Sequence, residues 1–258
     1  MKNILFLLSI STLFLAASCG KEPPIPVNTA ELNLSFKATY DGEPLVLNQQ
    51  TYRYATGPVR FSKINFYIAD LVAVNNDGET ELSEIRFIDL TKSHNTPLES
   101  SQGTVVNFSK VPVGVYNQLK FGVGVPADLN KTNPSDYSTT HPLGADNSGE
   151  YWEAWNSYIF MKVEGQWDAN DDGFDVDDIN FAYHVGGRDA LYEPVEQDNS
   201  LNLRAGETTN LTFELDVKTL FTFPDDGTLL RLEPHDPNSQ VAEMFFLMNN
   251  LKRALILK

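Results

Sequence analysis

The chain has 258 residues, with 35 acidic and 19 basic side chains, which gives a formal net charge of −16. A surface of this charge repels nucleic acids and anionic lipid headgroups, so DNA or RNA binding is excluded as a function. The 16 Phe and 10 Tyr residues supply enough apolar area for a folded core, so the chain is not disordered.

Residues 1–18 have the form of a secretory signal peptide. Lys2 is followed by an apolar run over residues 4–15, which is shorter than the ~20 residues that span a bilayer. The sequence Leu-Ala-Ala-Ser-Cys19 resembles the lipobox of bacterial lipoproteins, whose cysteine is acylated. Because Cys19 is the sole cysteine, we favour lipidation over a chance cysteine beside an ordinary cleavage site. We therefore expect an outer-membrane lipoprotein of the cell envelope, on its periplasmic or surface face.

The mature chain divides into a lipidated tether and one folded domain. Residues 19–30 contain three prolines, which is typical of a semi-rigid tether. Residues 31–258 then form a domain that no internal disulfide can stabilise, since Cys19 is the sole cysteine. A hydrophobic core must hold this domain together.

Short segments of alternating apolar and polar residues recur through the domain, separated by breaks rich in Gly, Pro, Asn and Asp. These segments are 32–36, 59–68, 72–74, 85–90, 104–108, 119–125, 158–163, 179–184, 201–203 and 211–215. They predict an all-β fold, an antiparallel β-sandwich of Greek-key type. Residues 241–251 alone have helical spacing of apolar side chains, so we expect one short C-terminal helix. Residues 127–149 form the longest predicted loop.

The sequence has no motif of a common enzyme class. Its four histidines lack zinc-finger or zinc-protease spacing, and neither a Gly-x-Ser-x-Gly elbow nor a phosphate-binding loop occurs. We therefore predict that the protein is not an enzyme; a hydrolase using paired Asp or Glu residues is an alternative that no motif selects. His94, within Lys92-Ser-His-Asn, is expected to be a solvated loop residue.

Two tryptophans, Trp152 and Trp155, lie close together directly after the long loop. Both could belong to the core, since an indole contributes a large apolar area. Residues three apart in a strand point to opposite faces, however, so we expect that they are not both fully buried.

A series of short motifs resembles the MbnP family, the copper-binding partner proteins encoded in methanobactin operons. The motifs are Phe36 with Asp41-Gly42-x-x-Leu45, the run 59–68, Pro112-Val-Gly-Val-Tyr116, Phe121-Gly-Val-Gly-Val-Pro126, His141-Pro-Leu, Tyr151-Trp-x-x-Trp155, Phe160-x-Lys-x-Glu-Gly165 and Phe181-x-x-His-x-Gly186. Each is weak alone, but their order and spacing together make coincidence improbable.

The resemblance implies a periplasmic or surface β-sandwich that binds copper. It makes His141, His184 and His235 candidate copper ligands, and imidazole is a suitable copper donor. In the family's best-known members a di-haem partner oxidises a tryptophan to kynurenine, so Trp152 or Trp155 is a candidate for this modification. Glu233 and Asp236, beside His235, could orient a ligand ring or add negative charge. A copper transporter is the other implied partner.

A second candidate metal site is independent of the family. The sequence Asp168-x-Asn170-x-Asp172-Gly follows the start of a calcium-binding loop, and the carbonyl of Phe174 would be the next ligand. Asp177 or Asp178 (or Asp175) could close the shell, because Ile179 occupies the position of the usual glutamate. The alternative is a solvated acidic hairpin tip.

The leading hypothesis is thus a copper-binding envelope lipoprotein that serves metal uptake or handover. The alternative is a non-catalytic structural or interaction lipoprotein, stabilised by calcium.

Overall fold

The computed structural model describes residues 28–55, 57–175, 177–236 and 239–258. The predicted signal peptide, the predicted lipidation site Cys19 and most of the predicted tether lie outside the described residues. The first strand begins at Thr29, inside the segment 19–30 that was predicted to be the tether.

Within these ranges the chain is mostly β-structure. The strands are β1 (Thr29–Tyr40), β2 (Glu43–Pro44), β3 (Tyr52–Arg53), β4 (Pro58–Asn75), β5 (Gly78–Asp89), β6 (Thr104–Pro112), β7 (Gly114–Val123), β8 (Tyr151–Trp152), β9 (Ser157–Trp167), β10 (Ile179–Gly186), β11 (Glu193–Leu203), β12 (Thr208–Asp216) and β13 (Leu255–Leu257). The α-helices are α1 (Pro97–Gln102), α2 (Val217–Leu220) and α3 (Val241–Ala254). Short 3-10 turns occupy Leu90–Lys92, Leu129–Lys131, Pro134–Asp136, Ala145–Glu150 and Asp189–Leu191.

The strands form two sheets that pack face to face. The smaller sheet has the order β13-β12-β1-β2, and β6 also pairs with β1. The larger has the order β10-β9-β4-β7-β11, with β3 and β5 also paired to β4 and β8 paired to β9. The described pairings are antiparallel except that of β1 with β12, which is parallel.

Alternation along the strands directs one face of each sheet into a shared aromatic core. In β1, Leu32, Leu34 and Phe36 are buried, while Asn33 and Ser35 between them are partly exposed. The ring of Phe36 stacks on Phe213 of the same sheet at 5.3 Å between centroids and meets Phe66 of the other sheet edge-on at 6.2 Å. Such contacts fix the register, because a slip of one residue would turn the apolar side chains to solvent.

The predicted all-β sandwich and its C-terminal helix are confirmed, and two short helices add to them. Helix α1 carries its own signals: the hydroxyl of Thr96 accepts the backbone N–H of Glu99, and Pro97 occupies the first turn. The carboxylate of Asp216 caps α2 in the same way, by accepting the N–H of Lys218. No helix in the described ranges combines the length and the apolar character needed to cross a bilayer.

The expectation that His94 is solvated is wrong. Its ring is fully buried, and the backbone N–H of Ala38 in β1 donates to Nε2 at 2.9 Å. Its Nδ1 lies 3.1 Å from the carbonyl oxygen of Leu90, which follows β5, so the ring joins the two sheets. Burial lowers the pKa of His94 to about 4, since a charged imidazolium would lose its hydration there.

Candidate metal centre

The outer face of the larger sheet presents a histidine at its β10 edge. Phe181, Tyr183 and Val185 point into the core, and His184 therefore points outward. Its direct neighbour on β9 is Lys162, and Glu164 lies two residues along the same face. This alternation brings an imidazole, an ammonium and a carboxylate together on one surface.

His184 has a carboxylate partner. Its Nε2 lies 2.8 Å from Oε1 of Glu164, and Nζ of Lys63 lies 3.6 Å from the same oxygen. The hydrogen bond with His184 and the charge of Lys63 lower the pKa of Glu164, against the opposing effect of its burial. An ionised carboxylate can only accept, so Nε2 of His184 carries the proton. No described residue forms a hydrogen bond with Nδ1, which is left with a free lone pair.

The second histidine, His235, comes from the segment that runs beside β10 toward α3. The Tyr183 hydroxyl donates to the Arg231 carbonyl at 2.6 Å, which attaches this segment to the strand. The buried side chain of Gln240 holds the chain on both sides of His235: it donates to the Pro234 carbonyl (3.1 Å) and accepts the N–H of Asp236 (3.2 Å). An exposed imidazole is thus held by a fixed backbone.

The two imidazoles meet beside an indole. The ring centroids of His184 and His235 are 4.3 Å apart, and that of Trp152 is 5.4 Å from His235 and 6.3 Å from His184. These three rings line an open cavity of about 390 Å³, together with Gly149, Tyr151, Glu153, Ile159 and Lys162.

Trp152 and Trp155 lie on the same side, contrary to the expectation of opposite faces. Strand β8 ends at Trp152, and a tight turn follows in which the N–H of Trp155 donates to the Trp152 carbonyl at 3.1 Å. The turn stacks the two indoles with centroids 4.7 Å apart and planes 25° apart. Neither is fully buried, as expected, but the cause is the turn and not strand alternation.

A buried ion pair lies under the cavity. Nζ of Lys162 donates to the Gly149 carbonyl at 2.6 Å and lies 3.0 Å from Oε2 of Glu150, while the amide of Asn65 donates to the other oxygen of Glu150 at 3.2 Å. Since Lys162 and Glu150 are both buried, their pairing is needed to offset lost hydration. The pair ties the start of β8 to the sheet and so places Trp152.

Electrostatics keep His235 in the form that binds metals. Partial burial and the neighbouring His184 lower its pKa, whereas a hydrogen bond with the backbone of Ala182 and the charges of Glu164 and Asp236 raise it. The net direction is downward, so the ring is neutral at neutral pH, as a metal ligand must be. The His235 ring forms its hydrogen bond with the backbone of Ala182. The carboxylate of Glu233, which was a candidate to orient this ring, lies 3.7 Å from Nε of Arg231.

His141 does not join the other two histidines. Its ring stacks on Tyr137 at 4.2 Å, and its Nδ1 accepts the backbone N–H of Leu143 at 3.2 Å. The hydroxyls of Tyr67 and Tyr158 hold the carbonyls of Pro142 and Leu143, so the His-Pro-Leu motif fixes the long loop to the core. Of the three candidate histidines, two therefore converge near Trp152, and the His-Pro-Leu motif instead anchors the loop.

In the candidate calcium loop, the first carboxylate accepts hydrogen bonds from the loop's own backbone. Asp168 is buried, and its two oxygens accept the backbone N–H groups of Asp172 and Gly173 at 3.2 and 2.9 Å. Asn170 donates to the carboxylate of Asp172, while Asp178 accepts the N–H of Asp175 and Asp175 that of Asp177. Phe174 lies under the guanidinium of Arg60. Calcium binding here stays a prediction.

The donor set of the histidine pair fits copper. Among the residues that the structure describes, no three His, Cys, Asp or Glu side chains are arranged around one potential ion, so the protein offers two imidazoles. Imidazole nitrogen is a good copper ligand, whereas calcium and magnesium require oxygen. A metal held here would be open to the cavity, which suits exchange.

Two residues that hold this site, Glu164 and Gln240, were not identified from the sequence. Glu164 lies in the motif Phe160-x-Lys-x-Glu-Gly165, and its spacing from Lys162 does place both on one face of a strand. Gln240 lies in none of the motifs, and its contacts with the backbone of Pro234 and Asp236 follow no strand or helix periodicity.

The fold and the site together define a class: a two-sheet β-sandwich that carries a histidine pair and stacked indoles at one sheet edge. The chain belongs to the MbnP family, whose model matches residues 29–240. Among solved structures it is similar to MbnP from Methylosinus trichosporium, at 18% identity and a TM-score of 0.50, over 76% of this chain and 78% of that chain. At this identity the likeness supports the fold alone. No curated protein sequence matches the chain significantly.

Proposed function

We propose that this protein is a non-catalytic copper-binding protein of the cell envelope, and that His184 and His235 hold the metal. The observation that carries the proposal is the pair of imidazoles 4.3 Å apart beside Trp152. The bond from His184 to Glu164 supports it, because a metal-binding histidine usually donates its other N–H to an oxygen acceptor. Copper is the cargo, for uptake or for handover to a copper transporter.

Copper analysis of the purified protein tests the ligand assignment. We expect His184→Ala and His235→Ala each to abolish copper retention after dialysis, because one imidazole remains in each variant. The control is His141→Ala, which removes a ring stacked on Tyr137 and leaves the pair intact. Equal retention by all four proteins would exclude the pair as the copper site.

Trp152 is the better candidate for oxidation to kynurenine, and the candidate partner for that reaction is a di-haem oxidase. Its ring contacts both imidazoles, whereas the ring contact of Trp155 is with Trp152. Peptide mass spectrometry on protein from its native host tests this assignment. We expect one carbon of Trp152 to be exchanged for oxygen, and Trp155 to be unchanged. Modification at Trp155 alone would contradict the assignment.

The place of action that we propose is the outer membrane, with the lipid on Cys19 as the anchor. The lipobox-like sequence supports this location. A Cys19→Ser variant should leave the membrane fraction and keep its copper, since the histidine pair lies in the folded domain. A variant that stays membrane-bound would contradict lipid anchoring at this residue.

A further inference from the structure

Glu164 contacts His184, one of the two proposed copper ligands, and is not itself a proposed ligand. Its Oε1 is 2.8 Å from Nε2 of His184, and Lys63, its cross-strand neighbour on β4, lies 3.6 Å from the same oxygen. The side chain of Glu164 is 27% exposed and that of His184 18%, so water competes weakly for this bond.

A neutral imidazole exists in two tautomers, and only the nitrogen without a proton can bind a metal. A carboxylate fixed at Nε2 selects the tautomer that carries its proton there. The remaining nitrogen, Nδ1, has no hydrogen-bond partner among the described residues.

We propose that Glu164, held by Lys63, is a positioning residue that fixes His184 as its Nε2–H tautomer and makes Nδ1 the copper-binding nitrogen. The inference rests on the proposed function only for the identity of the metal as copper. The tautomer itself is a property of the metal-free protein.

Long-range ¹H–¹⁵N correlation NMR of the metal-free protein at alkaline pH reads the tautomer directly. We expect His184 in the wild type to be a single Nε2–H form. Glu164→Leu and Glu164→Asp should give a tautomer mixture, the first because no acceptor remains and the second because the shorter side chain does not reach Nε2. Glu164→Gln should restore the Nε2–H form, since its amide oxygen can accept.

The matched control is Glu193→Leu, which breaks a partly buried ion pair with Lys252 (3.0 Å). Glu193 lies on β11, at the opposite edge of the larger sheet from His184 on β10. This variant should leave the His184 tautomer unchanged. Glu164→Asp keeps the charge and so remains informative if Glu164→Leu does not fold. An Nδ1–H form in the wild type, or a pure Nε2–H form in both Glu164→Leu and Glu164→Asp, would overturn the proposal.

Copper affinity supplies the second readout. Loss of an outer partner of a metal-binding histidine costs roughly ten- to a hundredfold in affinity, and we expect a loss of this size for Glu164→Leu and almost none for Glu164→Gln. If the wild type binds no copper, the proposed function fails while the NMR result still decides the tautomer. If copper binds and Glu164→Leu weakens it no more than Glu193→Leu does, the positioning role fails alone.

Discussion

The same side chain has opposite roles at two places in this molecule. His94 is fully buried and both of its ring nitrogens contact the backbone, at Ala38 and Leu90. His184 lies at a sheet edge with one nitrogen bonded to Glu164, and its other nitrogen has no hydrogen-bond partner among the described residues. The comparison teaches that a histidine with both ring nitrogens bonded to the backbone has no nitrogen left for a metal.

The largest expected effect is on stability, at the structural end of this comparison. His94→Leu should lower the free energy of unfolding by about 2–4 kcal/mol, because it leaves the buried N–H of Ala38 without its acceptor and removes one of the donors to the Leu90 carbonyl. Denaturant unfolding measures the loss, with His184→Leu as the control, for which we expect less than about 1 kcal/mol. Equal losses of unfolding free energy in the two variants would contradict the structural role of His94.

Acid should act on the same residue. In the folded protein the pKa of His94 is about 4, below its ordinary value of 6.5, so the unfolded chain binds the proton more readily. Stability is then lost as the pH falls from 6.5 to about 4, by roughly 3 kcal/mol, and levels off below that range. Unfolding of wild type and His94→Gln across this range measures it. Parallel curves would contradict a neutral buried His94.

An intermediate effect is expected at Gln240, which touches the backbone on both sides of His235. Gln240→Leu should destabilise the fold by roughly 1–3 kcal/mol, since it leaves the Pro234 carbonyl without its donor and the Asp236 N–H without this acceptor. Copper affinity should fall as well, because the His235 segment is released. Unchanged copper affinity in a destabilised variant would show that the position of His235 does not depend on the hydrogen bonds of Gln240.

The smallest expected effect is at Gly187. This residue has a φ of +77°, and an added Cβ would lie 3.0 Å from the ring of Trp155. Gly187→Ala should therefore cost about 1–2 kcal/mol, most of it from backbone strain. Thermal unfolding measures the cost, and Gly149→Ala is the control, because no atom lies within 4 Å of the Cβ it adds. A neutral Gly187→Ala would mean that the turn and the indoles can shift together.

Local patterns in the sequence predict much of this fold. The alternation at Leu32, Leu34 and Phe36 gives β1, the turn before Gly78 separates β4 from β5, and the apolar stripe of residues 241–251 gives α3. Each of these signals resides in neighbouring residues, where strand or helix periodicity can be read directly.

The features missed from the sequence depend on contacts between distant segments. The parallel pairing of β1 with β12 joins segments that are far apart in the sequence, and the backbone partner of His94 at Ala38 lies 56 positions away. His184 and His235 meet because a loop segment packs on the β10 edge. The stacking of Trp152 on Trp155 could not be predicted without knowing that β8 ends after two residues.

The stacked indoles give this protein an optical property of its own. Two aromatic chromophores held 4.7 Å apart and 25° from parallel couple their electronic transitions, and such coupling produces a paired positive and negative band in circular dichroism. Opening either ring would destroy one chromophore and with it the paired band. We therefore expect loss of the paired band to report modification of either tryptophan, without a label and without the metal.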